Sequence, residues 1–337
     1  WSRRRPRQFL TVRGAHENNL DFVTVKFPLG VLCAVTGVSG SGKSSLVTKC
    51  LYGNARRERG DTDVETGKIT GLEGLENVGG IVLVDQEPIA RSSRSNPATY
   101  LKAYDGIRKL LSETPDGRRK GLGARDFSFN VEGGRCEACQ GAGVQVIDMQ
   151  FLADVEVTCD QCDGRRFQER VLDVRYEGKN VDDILKLTVD EALQFFRGHR
   201  AIEKGLEPLR QVGLGYLRLG QATSTLSGGE AQRLKLAAHL ADAGTRGEST
   251  LLIFDEPTTG LHPSDLDVLL GVFDKALDKG FSIIVIEHNL ELVRRADWVI
   301  DLGPEGGPGG GKVVAQGMPE DVAKHPESIT GQFLARD

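Results

Sequence analysis

Three stretches of this 337-residue sequence hold residue types whose spacing can do chemistry. Gly37-Val38-Ser39-Gly40-Ser41-Gly42-Lys43-Ser44 fits the GxxxxGK[ST] pattern. Its glycines let backbone N–H groups wrap phosphate oxygens at a helix N-terminus, Lys43 reaches the β- and γ-phosphates, and Ser44 offers Mg²⁺ a hydroxyl. Gly37, Ser39, Gly40, Ser41, Gly42, Lys43, Ser44 and Ser45 are therefore candidate contacts to ATP. Further on, Leu251-Leu252-Ile253-Phe254 is followed by Asp255-Glu256, two acids at the end of an apolar run. Asp255 would hold Mg²⁺ through water, and Glu256 would orient or deprotonate the water attacking the γ-phosphate. Finally, Cys136-x2-Cys139 and Cys159-x2-Cys162 flank the segment 140–158. That spacing suits a four-thiolate zinc site, closed to water and therefore structural.

These groups need elements to position them. Phe22, Val23, Val25 and Phe27, then Val31, Leu32, Ala34 and Val35, read as strand leading into the glycine loop, and a helix should open at Lys43. Ile81–Val84 reads as a second apolar strand. Beyond Gln86 the character changes: a Pro- and Ser-rich stretch, a helix around Tyr100 to Leu111, the cysteines, and amphipathic helix patterns from Val181 to Phe196. A helix at LSGGEAQRLKLAAHL and strands at LLIFDEP, FSIIVIEH and ADWVIDL follow. Short β-branched runs alternating with helices imply an α/β fold with a mainly parallel sheet. Residues 1–86 and 205–337 should form the nucleotide-binding core, with 87–204 an inserted domain whose zinc module is 136–162. The module should be a hairpin over Gln140 to Thr158, with Gly141 and Gly143 freeing its first turn.

Composition narrows the class. Hydrophobic residues make up 39% and charged residues 27%, and no run approaches the ~18 apolar residues of a membrane span. The expectation is a cytoplasmic protein with no membrane partner. A net charge of −5 argues against nucleic-acid binding by bulk charge. DNA contact would need local patches: Arg3, Arg4, Arg5 and Arg7; Arg118, Arg119, Lys120 and Arg125; or Arg165, Arg166 and Arg170. Cys33 and Cys50 read as small buried hydrophobes. A start at Trp1, without Met, suggests a piece of a longer chain.

Leu226-Ser227-Gly228-Gly229-Glu230, the glycine loop, the paired acids, the segment Thr259-Gly260-Leu261-His262 and His288 after a strand together resemble an ABC-class ATPase. That resemblance implies that Ser227, Gly228 and Gly229 close over the nucleotide of an opposite ATPase half. It also implies that Gln86 senses Mg²⁺ and the attacking water, and that His288 contacts the γ-phosphate. With the cysteine insert and the stretches GAHENNL, RSNPATY, FSFNVEGGRCEACQGAG, GLGYLRLGQ and DLGPEGG, the chain resembles the C-terminal half of the bacterial UvrA family. The family resemblance implies an ABC-type core with an inserted helical and zinc-hairpin signature domain, using ATP, Mg²⁺ and Zn²⁺. The implied activity is ATP hydrolysis coupled to recognition of damaged or distorted duplex DNA in nucleotide excision repair. Implied partners are duplex DNA, a second ABC half from the same protein or another copy, and a UvrB-type helicase subunit. Arg118, Arg119, Lys120 and Arg125 would face phosphates.

The sequence departs from the family at Ala142, Ala153 and Phe167-Gln168, in or beside the zinc hairpin. Those departures raise an alternative, a UvrA-like self-resistance protein that displaces an intercalating drug from DNA. A transport or translation ATPase of the same class would have no place for the cysteine insert.

Overall fold

The computed structural model describes residues 3–85, 89, 94–147, 155–242, 249–259, 261 and 263–336. The chain divides into two compact units, Trp1–Gln86 with Ala243–Asp337, and Glu87–Asp242. The insertion thus ends at Asp242, where the sequence reading set its edge at residue 204. The extra segment packs within the second unit because the Gly228–Asp242 helix lies against the Arg200–Gln211 helix.

The first unit is built on two sheets. Strands β1 (Phe9–Ala15), β2 (Val23–Pro28), β3 (Leu32–Gly37), β4 (Gly71–Glu73) and β5 (Gly80–Val84) come from its N-terminal part. A small antiparallel sheet has the order β2-β1-β4. This separate sheet was not legible in the apolar run 9–36, which reads equally as one continuous strand system.

The main sheet takes β8 (Thr250–Asp255), β9 (Ser282–Ile286), β10 (Trp298–Gly303) and β11 (Lys312–Gly317) from the C-terminal part, in the order β11-β10-β3-β9-β8-β5. All neighbours are parallel except β10 and β11. Central β9 is buried along its whole length and β3 over its first five residues, which explains their unbroken apolar sequences. The helix opening at Lys43 runs on as Ser45–Gly53 and Asn54–Glu58. It places Leu46, Val47, Cys50 and Leu51 in one buried cluster with Val35, Ile284 and Ile286. Cys33 and Cys50 are fully buried, and burial pushes the Cys50 thiol up to about 11. Parallel pairing puts the C-terminal ends of β3, β5, β8 and β9 on one edge, where ligands bind in open α/β sheets.

The second unit is largely helical. The expected helix near Tyr100 is Ala103–Glu113. The amphipathic pattern from Val181 is two helices, Val181–Lys186 and Val189–Phe195, because Thr188 accepts from the Glu191 N–H while Glu191 caps back. Buried Phe127, Phe129 and Phe167 form its aromatic centre, with the Tyr104 hydroxyl donating to the Phe127 carbonyl at 2.7 Å. A two-stranded antiparallel hairpin, β6 (Val144–Ile147) and β7 (Val155–Thr158), stands on the cysteine module. Residues 148–154, with Ala153, fall outside the described residues.

Among the described residues no helix is long and apolar enough to cross a membrane.

Candidate functional site

β3 ends at Gly37, and the chain leaves the sheet in a loop that only glycine can make. Gly37, Gly40 and Gly42 sit at φ +134°, +74° and +103°. A Cβ on Gly37 would lie 2.0 Å from the Leu302 carbonyl oxygen. The Lys43 ammonium donates to the Gly37 and Val38 carbonyls, both at 2.9 Å. Burial pulls its pKa below the ordinary lysine value, opposed by Glu256, Asp301 and Asp255. Ser44 and Ser39 are exposed, and Ser45 Oγ accepts from Asn18 Nδ2 at 2.8 Å. The Ser41 side chain is wholly buried and its Oγ has no hydrogen-bond partner among the described residues, so a ligand contact at this position would fall to its backbone.

A second glycine loop supports the first. Gly307 N–H donates to Gly40 O at 3.0 Å and Gly311 N–H to Ser41 O at 3.2 Å. Asn19 Nδ2 bridges them, donating to Gly40 O and Gly307 O at 2.9 and 3.0 Å. The run GPEGGPGGG was the signal in the sequence that could have found this buttress.

The paired acids arrive on β8, two strands from β3. Burial raises the Asp255 pKa, and neighbouring Glu256 raises it further. Glu256 takes φ +46°, a strained conformation for a non-glycine residue, held by its N–H donating to Ile286 O at 2.9 Å. Its Oε1 lies 3.7 Å from His288 Nδ1, and Thr259 Oγ1 donates to its Oε2 at 3.3 Å. The expected base and the expected γ-phosphate contact are thus adjacent. Gln86, Gly260 and His262 lie outside the described residues.

Sequence reasoning missed Glu287. Its carboxylate is fully buried and accepts from Thr258 N–H at 2.9 Å, the Thr258 hydroxyl, His288 N–H at 2.8 Å and Asn289 N–H at 2.9 Å. One side chain therefore ties the segment after Glu256 to the segment carrying His288. The only hint was a glutamate directly after four apolar strand residues, Ile283 to Ile286.

In the second unit, Ser227 opens the Gly228–Asp242 helix. Its Oγ accepts from Glu230 N–H at 3.3 Å and its N–H donates to Glu230 Oε2 at 2.8 Å. Tyr216 fixes the other glutamate oxygen at 2.7 Å. Gly228 and Gly229 form the first turn, without side chains over the helix N-terminus.

The four cysteines converge. All four are buried, none is in a disulfide, and their sulfurs lie within 4.8 Å of one another. Cys136–Cys159 and Cys139–Cys162 sulfur distances are 4.0 and 3.7 Å. A tetrahedron with metal–sulfur bonds of about 2.3 Å has edges of about 3.8 Å, so the set fits zinc. Gly143 N–H donates to Cys139 Sγ at 3.3 Å. Burial pushes Cys162 up to about 12, whereas the Cys162 backbone N–H pulls Cys159 down. Gly141, at φ +83°, lies so close to Phe129 O that a Cβ would stand 2.0 Å away, which locks the module to the aromatic centre.

The basic candidates divide. Arg119 pairs with Asp116 at 2.7 Å and Lys120 with Asp173 at 2.6 Å, while Arg118 and Arg125 are exposed with no ion pair within 4.0 Å among the described residues. Arg3 joins Glu320, and Arg4 joins Asp274 and Asp278, so these two lead-in cations are tethers within the first unit. Arg165 pairs with Glu169 and Arg170 with Asp126.

A mainly parallel sheet with a glycine loop after β3 and paired acids after β8 defines a P-loop nucleotide-binding protein. The family model described as "ABC transporter" matches residues 20–259, and the chain belongs to that family of ABC ATPases. It is 50% identical over 335 residues, 99% of its length, to "UvrABC system protein A" of Aquifex aeolicus, and 52% identical over 331 residues to that of Streptomyces avermitilis. Among solved structures, UvrA2 from Deinococcus radiodurans matches 99% of the chain with a TM-score of 0.91 at 46% identity. The resemblance to the UvrA family read from the motifs is thereby borne out. The chain spans about a third of the length of those two curated relatives, 36% and 33%, and 40% of the solved UvrA2 chain.

Proposed function

We propose that this chain is the ATPase half of a UvrA-type protein that uses ATP to recognise damaged or distorted duplex DNA in nucleotide excision repair. The observation that most supports this reading is identity at about half of all positions, over nearly the whole chain, to UvrABC system protein A. That match does not favour drug displacement. Reading deformability rather than base identity suits a protein that must accept chemically diverse lesions.

In this reading the backbone of Gly37 to Ser45 and the Lys43 ammonium bind the phosphates, and Ser44 and Asp255 hold Mg²⁺, which neutralises developing phosphate charge. Glu256 orients the attacking water, and His288 beside it meets the γ-phosphate. Gln86 completes the set. Ser227, Gly228 and Gly229 serve the nucleotide of an opposing ABC half, and Lys43 and Glu256 need that half's signature in return. Cys136, Cys139, Cys159 and Cys162 hold a structural zinc that fixes the base of the hairpin. Arg118 and Arg125 meet DNA phosphates, and a UvrB-type helicase receives the lesion. A cytoplasmic location accords with this role.

The test is binding of the intact Glu256→Gln protein, with ATP, to undamaged, lesion-bearing and intercalator-saturated duplexes at one fixed salt concentration. Preference for the lesion is expected. Preference for intercalated DNA with lesions ignored would replace repair by drug displacement, and no DNA binding would overturn both.

A further inference from the structure

Arg166 stands apart from its neighbours in the second unit. Arg165 and Arg170 lie in the same stretch and find acids, at 3.4 and 3.7 Å. Arg166 turns inward instead, its guanidinium 5.7 Å from the centre of the Phe129 ring. Its backbone is held at φ +67°, and its carbonyl accepts the Cys136 N–H at 2.8 Å. Its Nη1 is buried without a hydrogen-bond partner, and the side chain has no ion pair within 4.0 Å among the described residues. Burial lowers its pKa, yet a guanidinium keeps its charge in proteins. The half-buried guanidinium feels the charge of Asp182 and of the Cys139 and Cys162 sulfurs, but none of them gives Nη1 a hydrogen bond, so a donor remains for a ligand oxygen.

The space beside it is a cavity of about 390 Å³, lined by Arg166, Asp182, Lys186, Arg218, Gln221 and Thr225, among others. That volume is within the range of small-ligand pockets, about 300–1,000 Å³. Its single carboxylate is already engaged, since Asp182 Oδ2 accepts from Lys186 Nζ at 2.6 Å. Arg218, exposed at the rim, has no ion pair within 4.0 Å among the described residues. Arg166, Lys186 and Arg218 outnumber the one lining carboxylate, and with an amide and a hydroxyl in the same wall they suit a tetrahedral oxyanion with several acceptor oxygens.

We infer that this pocket binds a phosphate group, and that its source is the backbone of duplex DNA. The second part rests on the function proposed above. A phosphate on Arg166 and Arg218 would position the duplex against the base of the cysteine module without reading any base.

The experiment measures binding of the intact protein to a fluorescent undamaged duplex across a salt series, for wild type, Arg166→Met, Arg218→Met and the double variant. Each single variant should flatten the slope of log K against log salt by about 0.9, the value for one phosphate. The double variant should lose no more than either single one, because both cations hold the same phosphate. Unchanged slopes with intact DNA binding would overturn the pocket while leaving the DNA reading standing. Failure of the wild type to bind DNA would overturn both. If inorganic phosphate raises the melting temperature of wild type but not of the variants, and the slopes do not change, the ligand is a free phosphate and the DNA assignment falls. Arg218, on the surface, decides the matter if Arg166→Met does not fold.

Discussion

Replacing Glu287 tests whether one buried carboxylate joins the two segments that carry Glu256 and His288. Its four donors divide evenly, the Thr258 N–H and hydroxyl on one oxygen, the His288 and Asn289 N–H groups on the other. In Glu287→Gln the amide NH₂ must face one of those pairs. The better choice faces Thr258, whose hydroxyl can reverse and accept, leaving only the Thr258 N–H orphaned. Hydrogen bonds to a charged group are worth about 1.5–3 kcal/mol and an orphaned buried donor costs about 1–3 kcal/mol, so the loss should be about 2–3 kcal/mol. At about 2–4 °C per kcal/mol the first unit should melt roughly 4–12 °C lower. Thr258→Val removes the same hydroxyl bond, so the two substitutions together should cost less than their sum. Calorimetric melting with steady-state ATPase assays would measure both stability and alignment, and ATP turnover should fall although Glu287 touches no reacting atom. A melting temperature within about 1 °C of wild type and unchanged turnover would refute the bracket.

Two other outcomes follow from the same coordinates. Cys159→Ser should lower bound zinc below one equivalent by metal analysis and abolish hydrogen-exchange protection across residues 136–162, while nucleotide binding in the first unit persists; a protected hairpin without metal would count against a structural zinc. Asp301, buried on β10, accepts from Ser328 Oγ at 2.5 Å and Thr330 Oγ1 at 3.0 Å, yet burial raises its pKa above the ordinary aspartate value. Because folding raises this pKa, the folded chain holds the proton more tightly than the unfolded one. The stability it contributes is present at pH below the ordinary aspartate value and fades as pH rises through the raised value. Denaturation at a series of pH values should show that decline in wild type and a flatter curve in Asp301→Asn, and identical curves would remove Asp301 as its source.

The glycine loop and the cysteine pairs were legible because their chemistry is local. GVSGSGKSS places donors, a cation and a hydroxyl within one turn of chain, and only the three positive-φ glycines allow that turn. Two CxxC pairs likewise form two local knuckles, and the metal chemistry needs only that they meet. The apolar runs at 81–84, 251–254 and 283–286 announce parallel strands, and in the latter two burial on both faces removes polar alternation.

What the sequence by itself determined, then, was the phosphate-binding chemistry, the four-thiolate set and the α/β class. Tertiary structure alone decided which distant residues support them. Glu287 looks like any glutamate after a strand until pairing with β8 brings Thr258 onto its carboxylate. Arg166 looks like one of three surface arginines until a left-handed backbone step turns it inward. Ser41 reads as one more loop hydroxyl until it is found buried, which leaves a ligand only its backbone. In each case the deciding quantity is desolvation, which depends on what packs around a side chain and leaves no periodic trace in the order of residues along the chain.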